Sequence, residues 1–199
     1  MADLANLPSD ITPSDFFALV EEALASEPAP AGASPEKLQV FLDGEGWAVG
    51  FDGGKLAVKQ EAVTGAPLQI SMTVEDWRAF VAGRVRDAIA SKVNVGFDAG
   101  QVAKLYRVTH KTEQVKGFNG NLQLVVEDKA KGGDHRVTLT FGGGAPNTES
   151  PDTKVSVDLE DFVALAAGEL NAQQAFFMGR IRLDGDMNLA MSLMALAQS

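Results

Sequence analysis

Apolar residues in this chain recur with two periods, and the segments they mark alternate along its length. Thr12-Pro13-Ser14-Asp15 precedes FFALVEEALA. Threonine suits a cap, proline the first helical position, and an acid the first turn. Phe16, Leu19, Val20 and Leu24 then fall on one stripe, which predicts a helix. The Pro- and Ala-rich stretch from Glu27 to Pro35 has no period and reads as a linker. Short runs at Leu38–Leu42, Trp47–Phe51, Lys55–Gln60 and Leu68–Thr73 predict strands, parted by glycine-containing turns such as Asp43-Gly44-Glu45-Gly46 and Asp52-Gly53-Gly54. Helical spacing follows at Val74–Ala82 and around Arg84–Ser91.

The second half repeats that order. Leu122–Glu127 and Arg136–Phe141 alternate apolar and polar residues, Gly142-Gly143-Gly144 reads as a flexible turn, and Lys154–Val157 is a further strand. Leu159–Ala167 turns helical, with Asp158 placed to cap it. Ile70–Val85 aligns without gaps on Val155–Leu170 at an offset of 85, with identities at Ser71/Ser156, Glu75/Glu160, Asp76/Asp161, Ala79/Ala164, Ala82/Ala167 and Gly83/Gly168. A strand–cap–helix–glycine unit is thus used twice. The expected organisation is an N-terminal helix and linker over residues 1–35, a first lobe over 36–106 and a related second lobe over 107–199.

Composition narrows the function classes. The 199 residues hold 17 Lys and Arg against 27 Asp and Glu, a net charge of −10, which opposes nucleic-acid binding. The one locally basic run, Lys104 to Lys116 with Arg107 and Lys111, reads as a solvated helix face, with an anionic membrane or partner as the alternative. With no cysteine, thiol catalysis, disulfides and cysteine-based zinc sites are excluded. No run approaches the roughly 18 consecutive apolar residues of a membrane span. The first residues, MADLANLPSD, lack a basic and then apolar leader, so a cytoplasmic protein is expected.

No catalytic constellation emerges. The G-x-S-x-G, H-E-x-x-H and phosphate-loop motifs do not occur. Glu160-Asp161 at a helix start favours the dipole rather than acid–base work. Asp184 and Asp186 around Gly185 share the look of a calcium loop without its remaining ligands, and read as a turn. His135, in a turn leading into a strand, is expected to face solvent. Neither a metal nor a cofactor is implied.

The last helix is less ordinary. In MNLAMSLMALA, residues 187–197, Leu189, Leu193 and Leu196 make one stripe and Met187, Met191 and Met194 a second. A helix apolar over most of its circumference must be covered on two sides. A deep core helix, an interface with a partner or second copy of the chain, and one wall of a lipid-accepting cavity all fit. Methionine's adaptable side chain favours the last two. Phe176 and Phe177, adjacent on a short helix, point in different directions and pose the same question.

Asp161–Leu193, DFVALAAGELNAQQAFFMGRIRLDGDMNLAMSL, resembles the sterol carrier protein 2 family. The resemblance rests on the acidic-aromatic helix start Asp161-Phe162, the helix end Ala167-Gly168, Ala175-Phe176, the glycine-led strand Gly179–Leu183, and the Gly185-Asp186 turn into a helix with Leu189, Ala190 and Leu193. It extends over roughly residues 117–199. It implies an α+β fold, a mixed and mostly antiparallel sheet covered by helices around an apolar tunnel, here in two related lobes. The tunnel would take a fatty acid, acyl chain or sterol-like lipid, without catalysis. Carried over by position, its lining is Phe162, Leu165, Phe176, Phe177, Met187, Leu189, Ala190, Leu193 and Met194, with Val125, Leu139, Phe141 and Val157 from the sheet. Membrane contact would be transient at most. The chain ends Ala195-Leu196-Ala197-Gln198-Ser199, unlike the Ser-Lys-Leu-type peroxisomal ending of well-known family members. In the first lobe, Arg84, Arg86 and Lys92 replace the second lobe's apolar positions, so that lobe is expected to be degenerate and without a lipid site.

Overall fold

A computed structural model describes residues 7–24, 37–93, 117–130 and 133–191. The linker at 27–35, the basic run at 104–116 and the expected lobe boundary near 106 lie outside these residues. Helix α1 spans Pro13–Leu24, α2 Val74–Val81, α3 Arg84–Lys92, α4 Leu159–Ala166 and α5 Ala172–Phe177. The strands are β1 Leu38–Leu42, β2 Glu45–Asp52, β3 Lys55–Lys59, β4 Leu68–Met72, β5 Gly120–Asp128, β6 Gly133–Phe141, β7 Thr153–Asp158 and β8 Ile181–Gly185. They form one sheet in the order β3-β2-β1-β4-β6-β5-β7-β8.

Each half of that sheet contains the same connection. β1 pairs antiparallel with β2 and parallel with β4, and β5 pairs antiparallel with β6 and parallel with β7. The parallel strand leads directly into a helix each time, α2 after β4 and α4 after β7. The halves meet where β4 pairs antiparallel with β6, so a single layer runs through the regions expected as separate lobes.

Register gives this sheet two unlike faces. Val40, Ile70, Leu139 and Leu122 lie side by side across β1, β4, β6 and β5. Val49, Leu124, Val126, Val155 and Val157 share that face by the two-residue alternation of strands. The helices cover it. Under α1 and α2, Phe16 and Phe17 pack with Trp47 and Trp77, the Phe16–Trp77 rings edge-on at 5.3 Å and Phe17–Trp47 stacked at 5.4 Å. A second cluster gathers Val126, Val157, Val163, Ala175 and Ile181 beneath α3, α4 and α5. A third joins Leu68, Leu122 and Phe141 to Leu189 and Ala190.

The opposite face is polar yet buried. Gln39, Gln69, Gln123, Thr138 and Thr140 are each at most 4% exposed. Loops cover them. Gln39 donates to the Glu61 carbonyl at 3.1 Å and accepts from the Val63 amide at 2.7 Å, while Gln123 donates to the Thr148 carbonyl at 2.8 Å. Gln69 holds the Gly144 carbonyl at 2.6 Å. A Cβ at Gly143 would meet Gly65 Cα at 3.2 Å, so two loop backbones pass close here. The glycine run forms the expected turn, with Gln69 bonded to its Gly144 carbonyl.

The Thr12 cap stands as expected, whereas the Asp158 cap and the solvent-facing His135 need correction. Thr12 caps α1, its Oγ1 accepting from the Asp15 amide at 3.1 Å. Asp158 occupies the cap position of α4 without a side-chain cap bond; its carboxylate accepts from Lys129 at 2.8 Å instead. His135 lies on the helix-covered face rather than in solvent. Its side chain is 17% exposed, its Nδ1 is 3.5 Å from Asp76 Oδ1, and its ring stands edge-on to Phe80. Arg84, read as a poor apolar wall, pairs at 2.7 Å with the buried Asp128, and Lys92 pairs with Glu169 at 2.9 Å.

The turn at Gly185 sets the exit from the sheet. Its φ is +104°, and a Cβ there would stand 2.1 Å from the Asp152 carbonyl oxygen. Gly185→Ala should cost about 2–4 kcal/mol in chemical denaturation, combining steric overlap with unfavourable φ. Gly53→Ala, at φ +56° with nothing within 4 Å, should cost about 1 kcal/mol.

Candidate functional site on the apolar face

The second half of the sheet presents a mostly apolar surface to its helices, interrupted by His135 opposite Val126 and by Thr153 opposite Leu122. Leu122, Leu124 and Val126 of β5 lie between Leu139 and Val137 of β6 and Val155 and Val157 of β7, and β8 extends the row with Ile181 and Leu183. Such a mostly apolar face requires cover, and each fully buried side chain of this size contributes about 1.5–3 kcal/mol. The cover is made of short pieces. Helices α4 and α5 have 8 and 6 residues, and residues 187–191 are helical beyond β8.

Helix α5 is fixed by Asn171, whose Oδ1 accepts from the amides of Gln173 and Gln174 at 2.9 and 3.3 Å. That seats Ala175 fully in the core and leaves Phe176 packed against it. The Gly185-Asp186 turn behaves as a cap, Asp186 Oδ1 accepting from the Asn188 amide at 2.8 Å. Leu189 and Ala190 are thereby placed against Phe141 and Leu122.

The expected lining residues divide accordingly. Phe162, Leu165, Phe176 and Val157 belong to the cluster under α3, α4 and α5. Leu139, Phe141, Leu189 and Ala190 belong to the cluster at the other end of the same strands. Val155 packs against both. Three expectations differ. Val125 pairs in register with Arg136 and Ser156, so it points to the polar face, away from Leu139 and Val157. Phe177 is 85% exposed and Met187 56% exposed, because the caps at Asn171 and Asp186 turn Ala175 and Leu189 inward. Leu193 and Met194 lie outside the described residues.

Charged groups gather at the edges of this face, the buried Asp128 at the end of β5 among them. Asp161, one of the two acids opening α4, accepts from Arg180 at 3.0 Å. Arg182 pairs with Glu127, and Arg84 with Asp128. The Asp128 carboxylate holds the Arg84 guanidinium above its ordinary pKa through their hydrogen bond. Among the described residues no group of three or more His, Cys, Asp and Glu side chains is arranged to hold a metal, and no helix is long and apolar enough to cross a membrane.

Sequence reasoning missed the buried polar face. Its signal is present in Gln123, Thr138 and Thr140, but alternation alone assigns such residues to solvent, and only the covering loops bury them.

A sheet with one largely apolar face under short helices defines a protein whose distinguishing surface, among the described residues, is hydrophobic. A family model described as the SCP-2 sterol transfer family matches residues 101–198. The chain belongs to that family, whose name is that of sterol transfer. Among curated relatives, it is 28% identical to sterol carrier protein 2 of Homo sapiens over 166 residues, 76% of this chain and 30% of that protein. It is 33% identical over 90 residues to peroxisomal multifunctional enzyme A of Dictyostelium discoideum, covering 43% of this chain and 20% of the enzyme. The crystal structure of sterol carrier protein 2 like 2 from Aedes aegypti matches at 30% identity, with a TM-score of 0.31, over 39% of this chain and 72% of the other. The chain thus spans between a fifth and a third of the length of these curated relatives.

Near the start of α4, Lys129 hydrogen-bonded to Asp158 holds that carboxyl below its ordinary value. A depressed carboxylate stabilises the fold above the usual carboxylate range and loses that contribution as pH falls through its lowered value. The effect is small, since both side chains are more than a third exposed. An NMR titration should find the Asp158 midpoint depressed, and Lys129→Met should move it back upward.

Proposed function

We propose that the second half of the chain binds and carries one apolar lipid, a fatty acid, acyl chain or sterol-like molecule, between the sheet and the short helices over it. The observation that carries this reading is the broad, mostly apolar face of β5, β6, β7 and β8, with its side chains divided between two clusters that Val155 joins. Phe162, Leu165, Phe176 and Val157 form one end of the binding surface; Leu139, Phe141, Leu189 and Ala190 form the other. Membership of a sterol-transfer family supports it. Transfer of about 0.8 kcal/mol of favourable free energy per buried CH₂ gives a long acyl chain ample driving force before ordering costs.

In this reading the protein acts without catalysis. Binding needs no proton transfer, and the ionic groups named above are paired with one another at the rim. The first half, with Phe16, Phe17, Trp47 and Trp77 packed on each other, serves as structure and extends the sheet.

A second reading is an interaction module that buries the same region against a partner or a second copy of the chain. It is favoured by the exposure of Phe177, Met178, Met187 and Met191.

Native mass spectrometry of gently purified protein separates the two. Carriage predicts a bound lipid mass on a monomer, lost in Phe176→Asp and retained in Phe177→Asp, because only Phe176 packs into the cluster. The interaction module predicts no lipid mass, and a subunit number that changes in Phe177→Asp.

A further inference from the structure

We propose that the polar face of the sheet carries a second site, for a neutral polyhydroxylated ligand of the sugar or polyol class, built at the seam between the two halves. A groove of about 520 Å³ lies there, within the usual range for small-molecule sites. The first half supplies Phe41, Ser71 and Asp76, and the second supplies Gln123, Arg136 and Thr138. Ser71 and Thr138 are register partners across β4 and β6, the strand pair that joins the halves. Neither half alone contains the groove, and it faces away from the apolar surface assigned to lipid.

Ser71 is the observation that points to a ligand. Its side chain stands on the groove face between Phe41 and Thr138, its register partners. The residue is 6% exposed, and its Oγ has no hydrogen-bond partner. A buried hydroxyl without a partner destabilises a fold and needs a reason. Its neighbours on this face are satisfied: Gln123 donates to Thr138 Oγ1 at 3.2 Å and to the Thr148 carbonyl at 2.8 Å. The second of these bonds also fixes the wall of the groove formed by Pro146 and Thr148.

The chemistry of the lining selects the ligand class. Sugar and polyol hydroxyls both donate and accept, and here carboxylate, guanidinium, carboxamide and hydroxyl groups stand close together. The charges already have partners. Arg136 binds Asp134 at 2.9 Å, and Asp76 accepts from Thr73 Oγ1 at 2.9 Å with His135 beside it. An ion would compete with those pairs, whereas a neutral ligand can hydrogen-bond to their remaining lone pairs and N–H groups. Phe41 offers an apolar surface for the C–H side of a ring.

The test is an amide NMR titration of the ¹⁵N-labelled full chain with sucrose and, separately, myo-inositol. The proposal expects saturable shifts at Ser71, Gln123 and Thr138 with at least one probe. Ser71→Ala should weaken that binding about tenfold while leaving the thermal midpoint unchanged or higher, because it removes an unpartnered hydroxyl. Thr138→Val, which keeps the side chain's shape, should weaken it as well. Absence of saturable shifts with both probes overturns the proposal. So do shifts confined to α4 and α5, or binding in both variants as strong as in the unaltered chain. The lipid reading is untouched by any of these outcomes, since its own readout is a bound lipid mass.

Discussion

Everything in this molecule depends on eight strands keeping one register, so that most of their apolar residues land on the same side. The row Val40, Ile70, Leu139, Leu122 crosses four strands and both halves without a polar interruption. A slip of one residue in any strand would turn its apolar set to the other face. The antiparallel pairing of β4 with β6 carries most of this burden, because it alone fuses the two half-sheets. It also gives the helices a common surface: Ala79 of α2 and Val85 of α3 pack in the same cluster as Val163 of α4 and Ala175 of α5.

The other face shows what happens when alternation is kept but solvent is removed. Loops from both halves fold over a polar strip, and buried side chains there need partners. Glutamine serves well, since its carboxamide can donate and accept at once. Gln39 does both for the loop before β4, and Gln123 donates to the loop before β7. The two glutamines stand at corresponding places, each on the strand that pairs parallel with the one its loop precedes. The polar face is thus a second core organised by hydrogen bonds, and it is where the unpartnered Ser71 hydroxyl stands out.

On the apolar side, the short helices matter more than the strands. Capping decides which residues of α5 and of the helical residues 187–191 turn inward. Asn171 sends Ala175 to the core, and Asp186 sends Leu189 and Ala190 there. The consequence is that Phe177 and Met187 face outward although their type would suit a lipid wall. Membership of the SCP-2 sterol transfer family and the breadth of the apolar face together make lipid carriage the reading to pursue.

Local features were legible in the chain from spacing and turn chemistry. Leu38–Leu42 and Val74–Val81 emerge nearly residue for residue, because alternation, the Asp43-Gly44 turn and the Thr73 cap all act within a few positions. The mixed α+β sheet under helices followed from the family resemblance of the second half. What sequence could not assign was set by contacts distant in the chain. Val125 faces away from the apolar surface because β5 is held between β6 and β7 in one register; His135 is enclosed because α2, from the other half, packs over it. The merging of both halves into one sheet came from the β4–β6 pair, which joins segments some 70 residues apart. Periodicity states that a residue has an inside and an outside face, and only the packed strands and loops decide which of the two is dry.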